Sequence, residues 1–343
     1  MTAQADVGFD ARQHARWHVA EIIFWIAALA CAFAFPSRYL IMTEIVRLGL
    51  FALSLDLILG YAGIVSLGHA AFFGVGAYGA GLLALHGVIN EPVIALVVTG
   101  LAAGVLGFFT SFLVIRGADL TRLMVTLGIA LLLEALAERY SNITGGTDGL
   151  QGIEMQPILG LFTFDMFGKA GFFYSLAVTF LLFLLARRIV HSPFGLSLRA
   201  IRNNPLRAAA IGIPVNRRLI AIYTVAAFYA GIAGALFTQT TALASLDVFA
   251  FERSADLLLV LVIGGTGYLY GGLIGAVVFR MLQEIFSTIT PQYWQFWIGA
   301  ALVVIVLVGR ARLHRWVLFL PNLVITRFAG RKAAVAVPEG EGP

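Results

Sequence analysis

Charged residues and cysteines are scarce in this chain of 343 residues. Asp, Glu, Lys and Arg together make up 12% of the sequence, against about 25% in ordinary soluble proteins. A soluble domain needs charge on its surface, so this shortage excludes a soluble globular enzyme. The single cysteine, Cys31, cannot form an intramolecular disulfide, which excludes a secreted scaffold held together by disulfides.

Apolar residues are present in large excess. The hydrophobic residue types account for 60% of the chain, 37 further residues are Gly, and the mean hydropathy is +0.92. Such a sequence is too apolar to remain disordered in water. At about 20 residues per membrane span plus a connecting loop, its length allows about ten spans. The composition therefore predicts a polytopic membrane protein.

The apolar runs predict an all-α transmembrane helical bundle with about eight full spans and one broken, Gly-rich helix pair, so nine to ten spans in total. The full spans are predicted at 20–36, 39–59, 62–85, 93–115, 119–139, 171–190, 218–240 and 293–309. The broken run, 254–288, is interrupted by Gly264-Gly265-Thr266-Gly267 and again by Gly271-Gly272. Its roughly 35 residues are too many for one span, so we predict two shorter helices that meet at an irregular turn.

Lys and Arg residues predict which side of the membrane each segment faces. Seven arginines lie in the segment 187–218, and positively charged loops face the cytoplasm. Counting spans from there places both termini in the cytoplasm, with tails at 1–19 and 310–343 and a transmembrane domain at 20–309. The segment 140–170 is then external. Because the basic residues are scattered among loops, the net charge of +5 indicates orientation in a lipid bilayer and not nucleic-acid binding.

Sequence motifs for nucleotide or metal chemistry are missing. Residues 74–79 match G-x-G-x-x-G, but they lie inside an apolar span without a preceding strand, so small residues for close helix packing are the better interpretation. The only lysines are Lys169 and Lys332, and no Walker A motif exists, so we do not expect this chain to hydrolyse ATP. The histidines are dispersed, and we expect no metal site and no cofactor on this chain. A membrane enzyme is disfavoured because no nucleophile, base or metal ligands cluster.

A short helix outside the bilayer is predicted within the segment 191–217. Asn204 is a good N-cap, Pro205 suits the first helical position, and Gly212 suits the position just beyond the end. The apolar face of this helix consists of Leu206, Ala209 and Ala210, flanked by Arg207. Such a helix either docks on a cytoplasmic partner or rests on anionic lipid, and its residues alone favour neither.

Three separated motifs carry a resemblance to a known family. The first, at 60–78, reads GYAGIVSLGHAAFFGVGAY, and the second, at 143–150, reads ITGGTDGL. The third runs from Gly195-Leu196 through RAIRNNP at 199–205 to AIGI at 210–213. Their order and topology resemble the LivM-type permease subunit of branched-chain amino-acid ABC importers. The resemblance covers about residues 40–310.

The resemblance implies a permease that works with other chains and is not itself an enzyme. Such a subunit lies in the bacterial inner membrane and pairs with a second, LivH-like permease. Two ATPase subunits, which bind ATP and Mg, drive it, and a periplasmic binding protein delivers the amino acid. Similar permeases carry urea, amides or other amino acids, so these substrates remain alternatives, as does pairing between two copies of this chain.

The third motif resembles the coupling segment of such permeases, which fits a groove on an ATPase subunit. The residues implied are Arg199, Arg202, Asn204, Pro205, Leu206, Arg207, Ala209, Ala210 and Gly212. The motif departs from the E-A-A-x-x-x-G loop of many ABC permeases. Arg207 stands at the acidic position, and the spacing to Gly212 differs.

Two Gly-rich segments with small polar side chains are the candidate translocation pathway. Their residues are Tyr61, Gly63, Ser66, Gly68 and His69 in the first, and Gly264, Gly265 and Thr266 in the second. A zwitterionic amino acid needs donors and acceptors for its two ends, and helix breaks supply them from the backbone. Close helix packing is the alternative interpretation. The second motif supplies candidate external loop contacts at Thr144, Gly145, Gly146, Asp148 and Gly149.

Some ionisable residues within the spans have the spacing of same-helix pairs. Glu44 and Arg47 are three residues apart, and Arg280 and Glu284 are four apart, so each pair can meet on one helix face. Pairs of this kind are as easily structural as functional.

Other ionisable residues have no obvious partner on their own helix. Glu134 and Asp256 are of this kind, although Glu134 is close enough along the chain to reach toward Arg139. Asp56 lies near a span end, where we expect it to snorkel toward water. Such groups usually mark a functional interior. If Glu134, Asp256 or His69 carries protons, the alternative function is that of an autonomous proton-coupled secondary transporter.

Overall fold

The computed structural model describes residues 19–117, 119–165 and 167–308, and in these residues every regular element is a helix. The helices are α1 (Val19–Ala34), α2 (Tyr39–Ala62), α3 (Ala70–Leu85), α4 (Pro92–Arg116), α5 (Asp119–Arg139), α6 (Ser141–Thr144), α7 (Lys169–Val190), α8 (Pro193–Asn203), α9 (Pro205–Ala210), α10 (Val215–Thr241), α11 (Phe251–Gly264), α12 (Gly271–Ile289) and α13 (Trp294–Val308). Short 3₁₀ turns lie at Pro36–Arg38, Gly146–Asp148 and Leu246–Val248. The predicted all-α class is confirmed.

Every predicted span overlaps a helix. Six helical segments of at least 18 residues are apolar enough to cross a membrane: Pro36–Ala62, Pro92–Arg116, Leu120–Arg139, Lys169–Val190, Val215–Thr241 and Gly271–Ile289. Two shorter apolar helices lie at Glu21–Ala34 and Ala70–Leu85. The run 254–288 is divided between Gly264 and Gly271, as its glycines predicted. The total of nine to ten crossings and the side of each terminus stay predictions.

The predicted span 62–85 begins too early, because α3 starts only at Ala70. The chain leaves α2 through Gly63, whose φ of +75° is a left-handed conformation that favours Gly. The Gly63 and Ile64 amides donate to the Leu59 and Ile58 carbonyls at 3.2 and 3.0 Å, which closes the helix end. Residues 63–69 are therefore an irregular turn between α2 and α3.

Helix α10 is the central element and packs against α2, α3 and α4. Its backbone comes very close to that of α3 where small residues meet. A Cβ on Gly76 would overlap the Gly231 carbonyl, and a Cβ on Gly234 would overlap the Phe73 carbonyl. Close helix packing in residues 74–79 is thus confirmed, and two glycines facing each other make it possible.

Gly76→Ala is expected to destabilise the protein by about 1–3 kcal/mol, the usual cost of overpacking, because the new methyl group would overlap backbone. Gly128→Ala on α5 is the matched control, since no atom lies within 4 Å of a Cβ built there. The measurement is the melting temperature of each variant in detergent, followed by size-exclusion fluorescence. A Gly76→Ala protein that melts together with the control would contradict the observed contact.

Residue contacts divide the chain into a unit that ends at Arg280 and a unit that begins at Met281. The first unit contains α1 to α11 and the start of α12. The second contains the rest of α12 and α13, where the rings of Phe286 and Trp297 stack with centroids 6.4 Å apart.

The loops of the first unit meet at one end of the bundle, called here the loop end. The Leu150 amide donates to the Ala244 carbonyl at 2.7 Å, and the Gln156 amide donates to the Asn90 carbonyl at 3.1 Å. Helices α8 and α9 follow α7 at the opposite end. The candidate sites therefore fall into two regions, one at each end.

Candidate functional site

Helix α9 is short, capped and exposed. The Asn204 Oδ1 accepts a hydrogen bond from the Arg207 amide at 2.9 Å, and Pro205 occupies the first turn. Ala208 is buried against the bundle, whereas the Leu206 side chain is 85% exposed. Ala209, Ala210 and Gly212 are exposed as well. The apolar face predicted for docking is therefore accessible on this chain.

Helix α8 is packed against the bundle, whereas α9 is exposed. Its Leu198 and Ile201 side chains are fully or almost fully buried, and the helix contacts α2, α7 and α10. Gly195 lies directly against the Val190 backbone. The segment 191–217 thus has one helix, α8, that packs against the transmembrane helices and a second, α9, whose apolar face is exposed.

Two arginines of α8 reach the end of α2. The Arg202 Nη1 donates a hydrogen bond to the Gly60 carbonyl. The Arg199 guanidinium carbon lies 5.4 Å from the centre of the Tyr61 ring, which is a cation–π contact. The carbonyls of a last helical turn lack partners within the helix and carry the negative end of its dipole, so they attract a cation. Both arginines were predicted for coupling, and Tyr61 was predicted for the pathway.

Asp56 connects the same end of α2 to the break between α11 and α12. Its Oδ1 accepts a hydrogen bond from the Gly267 amide at 2.7 Å, and its side chain is completely buried. The Arg202 guanidinium lies beside Gly267 too. The expectation that Asp56 snorkels was wrong, because the carboxylate finds a backbone donor inside the protein. We call Asp56, Gly60, Arg202 and Gly267 the junction.

The remaining residues of the first pathway segment are packed inside the bundle. The His69 Nε2 lies 2.9 Å from the Ser54 Oγ, and its ring stacks on Phe51 with centroids 5.7 Å apart. Ser66 is fully buried, and Gly68 lies against the Thr126 backbone. Of the segment's predicted residues, only Gly63 is exposed, beside the Arg202 side chain.

The second pathway segment forms the break itself. Gly264 ends α11 directly against the Gly271 backbone, which leaves no room for a side chain. Gly265 is buried, and its amide donates to the Leu261 carbonyl at 2.8 Å. Thr266 is half-buried next to Gly267. The structure thus brings this break, the end of α2 and the predicted coupling segment together at the junction.

The external loop residues lie at the loop end, apart from the junction. Thr144 Oγ1 donates to the Ala137 and Tyr140 carbonyls and so closes the end of α5. Gly145, Gly146 and Gly149 have positive φ angles and form a tight turn. The Asp148 side chain is exposed. The turn is joined to the α10–α11 connection through the Leu150–Ala244 bridge.

Glu44 interacts electrostatically with Arg47 on its own helix, but the ion pair that it forms is with Arg280 of α12. Arg47 is buried and donates through Nη1 to the Phe237 carbonyl at 3.2 Å and to the Thr240 Oγ1 at 2.6 Å. Helical spacing identified residues that can meet, but packing between helices decided which ones do.

Sequence reasoning missed Asp56 as a site residue, although a signal was present. Asp56 and Gly60 are four residues apart and therefore share a face of α2. An acid on the same face as a glycine, near a Gly-rich turn, is typical of a carboxylate that binds backbone amides of a neighbouring segment.

Comparisons with known proteins agree on one family. The family model described as "Branched-chain amino acid transport system / permease component" matches residues 37–307. The chain is 25% identical to the high-affinity branched-chain amino acid transport system permease protein LivM of Escherichia coli, over 84% of this chain and 74% of that protein.

Other relatives have names that extend the range of substrates. The probable branched-chain amino acid transport permease protein LivH of Methanocaldococcus jannaschii is 27% identical, over 69% of this chain and 76% of that protein. The galactose/methyl galactoside import permease protein MglC of Haemophilus influenzae is 26% identical, over 64% of this chain and 66% of that protein. No solved structure matches the chain.

Proposed function

We propose, since the chain belongs to the family of permease components of branched-chain amino acid transport systems, that it is the membrane-spanning subunit of an ATP-binding-cassette importer. Its substrates are branched-chain or closely related amino acids. Separate ATPase subunits supply the energy, a periplasmic binding protein delivers the amino acid, and the assembly lies in the bacterial inner membrane. The chain itself is a multi-pass membrane protein with no role in ATP hydrolysis.

The junction is the observation that carries this proposal. An importer of this kind must transmit a movement of its ATPases to the membrane helices. In the segment 191–217, α9 presents exposed Leu206, while α8 holds the end of α2 through Arg202. An ATPase bound to α9 would therefore also move the adjacent helix α8, which is hydrogen-bonded to the end of α2 through Arg202. The α11–α12 break is hydrogen-bonded to the same end of α2 through Asp56.

A second permease chain has a surface available for pairing. Helix α5 is the least buried of the long apolar helices. Only 17% of its apolar 18-residue stretch is buried inside the protein. Its outward side chains include Leu120, Met124, Leu131, Leu132 and Leu136. Lipid covers such a face in a lone subunit, and a related permease or a second copy of this chain would cover it in an assembly.

Amino acids are the substrates that the family description and the LivM and LivH relatives support. The galactose permease among the relatives makes neutral sugars the alternative class. Urea and amides stay alternatives from the resemblance alone.

Copurification tests the proposed assembly. The chain is tagged in native membranes, extracted in mild detergent, and its stoichiometric partners are identified by mass spectrometry. We expect an ATPase with a Walker A motif and a second permease of the same family.

Recovery of the chain without an ATPase, together with uptake by the chain alone in proteoliposomes lacking ATP, would overturn the proposal. It would favour the autonomous transporter instead. In that case uptake should collapse on addition of a protonophore, and Glu134, Asp256 and His69 would become the residues to replace.

A further inference from the structure

An apolar groove lies on the outside of the bundle between α4, α7 and α10. Its volume is about 490 Å³, which is in the range of small-ligand sites. The α10 side chains that line it are buried or half-buried and form its floor. The exposed side chains that form its walls are Leu101, Val105 and Phe108 of α4 and Leu185 of α7. The groove is therefore on different helices from the α5 face that is available to a second permease.

The hydroxyl groups that border the groove already have partners. The Thr224 Oγ1 donates a hydrogen bond to the Ile220 carbonyl at 2.9 Å, within its own helix. The Tyr229 hydroxyl donates to the Leu182 carbonyl at 2.9 Å and so joins α10 to α7. The groove therefore presents hydrocarbon surface and suits a hydrocarbon chain, whereas a polar molecule would leave its own groups without hydrogen bonds there.

The bond between Tyr229 and Leu182 also fixes how α7 and α10 lie along each other. Arg188 is six residues beyond Leu182 on α7, and Arg218 is eleven residues before Tyr229 on α10, which runs in the opposite direction. At about 1.5 Å per helical residue, Arg188 lies about 9 Å and Arg218 about 16 Å from this bond along the helices. Both displacements point toward the end of the bundle that carries α8 and α9.

Helical register places both arginines on the faces that line the groove. Arg188 is three residues after Leu185 and directly before Ile189, and both of these line the groove. Arg218 is seven residues, or about two turns, before Val225, which also lines it. The groove thus has an apolar trough and, at its α8–α9 end, two cationic side chains.

Neither arginine has an acidic partner among the described residues. Arg188 is exposed. Arg218 is half-buried beneath the Phe194 ring, with its guanidinium carbon 5.2 Å from the ring centre, and its Nε has no hydrogen-bond partner in the described part of the chain. The whole segment 187–218 contains no Asp or Glu. The positive charge at this end is therefore not neutralised by the segment itself and is available to an anion.

We propose that the groove and its two arginines form a binding site for one anionic phospholipid. An acyl chain lies in the groove, and the headgroup phosphate binds Arg188 and Arg218. The lipid belongs to the leaflet on the α8–α9 side, which the arginines predict to be cytoplasmic. Basic sites between membrane helices on that side suit anionic headgroups, and a guanidinium matches phosphate oxygens with paired donors. The site is additional to the transport and coupling roles proposed above.

A helix of a second permease is the competing occupant of the groove. It would have to supply an acid at the level of the two arginines, because a charge facing an apolar helix surface is costly. A phospholipid supplies both parts in one molecule, a hydrocarbon chain for the trough and an anion for its end. The charge of the groove therefore favours lipid.

Native mass spectrometry of the purified, delipidated chain tests the cationic end. The chain is incubated with phosphatidylglycerol or with phosphatidylethanolamine of the same acyl chains. We expect the wild type to retain one phosphatidylglycerol with about tenfold or more preference, because only this lipid has a net negative charge. Arg188→Gln and Arg218→Gln should each lower the preference about fivefold. Arg139→Gln is the matched control, because Arg139 is an exposed arginine at the loop end.

A groove-filling variant tests the acyl-chain part of the site. Val105 is 56% exposed on the α4 wall, so Val105→Trp places an indole ring where the acyl chain would lie without disturbing the core. Retention of phosphatidylglycerol is expected to fall about tenfold or more. Val303→Trp is the matched control, since Val303 of α13 is 55% exposed and does not line the groove. The melting temperature of each variant shows that it is folded.

Three results would overturn the inference. Equal retention of the two lipids by the wild type, or a full preference kept by both arginine variants, would mean that the arginines recognise no headgroup. Wild-type retention by folded Val105→Trp would place the lipid elsewhere.

The assembled complex separates lipid from the competing occupant. We expect the complex to retain the same phosphatidylglycerol as the lone chain. A complex that has lost this lipid would assign the groove to a partner chain and overturn the inference. The proposed function is measured separately, by ATP-driven uptake, and stands or falls independently of these results.

Discussion

Replacing Leu206 and Ala209 together by Asp is expected to abolish ATP-driven uptake and to release the ATPase subunits from the complex. Both side chains are exposed on α9 in this chain, so the change should not disturb the fold. In the assembled importer they would be buried against the ATPase groove. Burying an unpaired carboxylate costs several kcal/mol, so a loss of about a hundredfold or more in ATPase affinity is expected.

The measurement is the amount of ATPase that copurifies with the tagged variant, together with uptake in cells. Leu161→Asp is the control for an added surface carboxylate, because it places one Asp on an exposed leucine at the loop end. Full retention of the ATPase by the α9 variant would mean that this helix rests on lipid and that coupling occurs elsewhere.

Arg202→Gln is expected to separate ATP hydrolysis from transport. The variant keeps the exposed face of α9, so the ATPases should still copurify at the wild-type ratio. It loses the charged donor to the Gly60 carbonyl, and with it the bond between α8 and α2. A hydrogen bond from a charged group is worth about 1.5–3 kcal/mol, so uptake per ATP hydrolysed should fall about tenfold or more.

Asp56→Ala tests the other half of the junction. It leaves the Gly267 amide without its carboxylate acceptor and frees the α11–α12 break from α2. The same loss of coupling is expected, with the complex intact. Arg217→Gln is the matched control for Arg202→Gln, because Arg217 is an exposed arginine at the start of α10 that belongs to neither the junction nor the predicted coupling residues. Coupling in the Arg202 and Asp56 variants equal to that of the control would show that the junction is structural only.

Local features of this protein were predictable from the sequence. The cap at Asn204, the first-turn Pro205 and the division of the run 254–288 depend on residues close together in the chain. Such signals arise from backbone conformation and capping, which a short stretch of sequence determines.

Contacts between distant residues were not predictable in the same way. Asp56 and Gly267 are separated by 211 positions, and Arg202 and Gly60 by 142. Their pairing depends on how α2, α8 and the break pack together, and no local periodicity reports this. The predicted start of α3 was too early because residues 63–69 were counted into an apolar run, although Gly63, Ser66 and Gly68 interrupt that run and Gly63 adopts a positive φ.

ATP-driven uptake by the purified assembly tests the central claim most directly. The tagged complex and its binding protein are reconstituted in proteoliposomes, and uptake of radiolabelled leucine is measured with and without ATP on the α9 side. The account predicts uptake that requires ATP, requires the binding protein and disappears when Leu206 and Ala209 are both replaced by Asp. Leucine uptake at the same rate without ATP, by this chain alone, would contradict it.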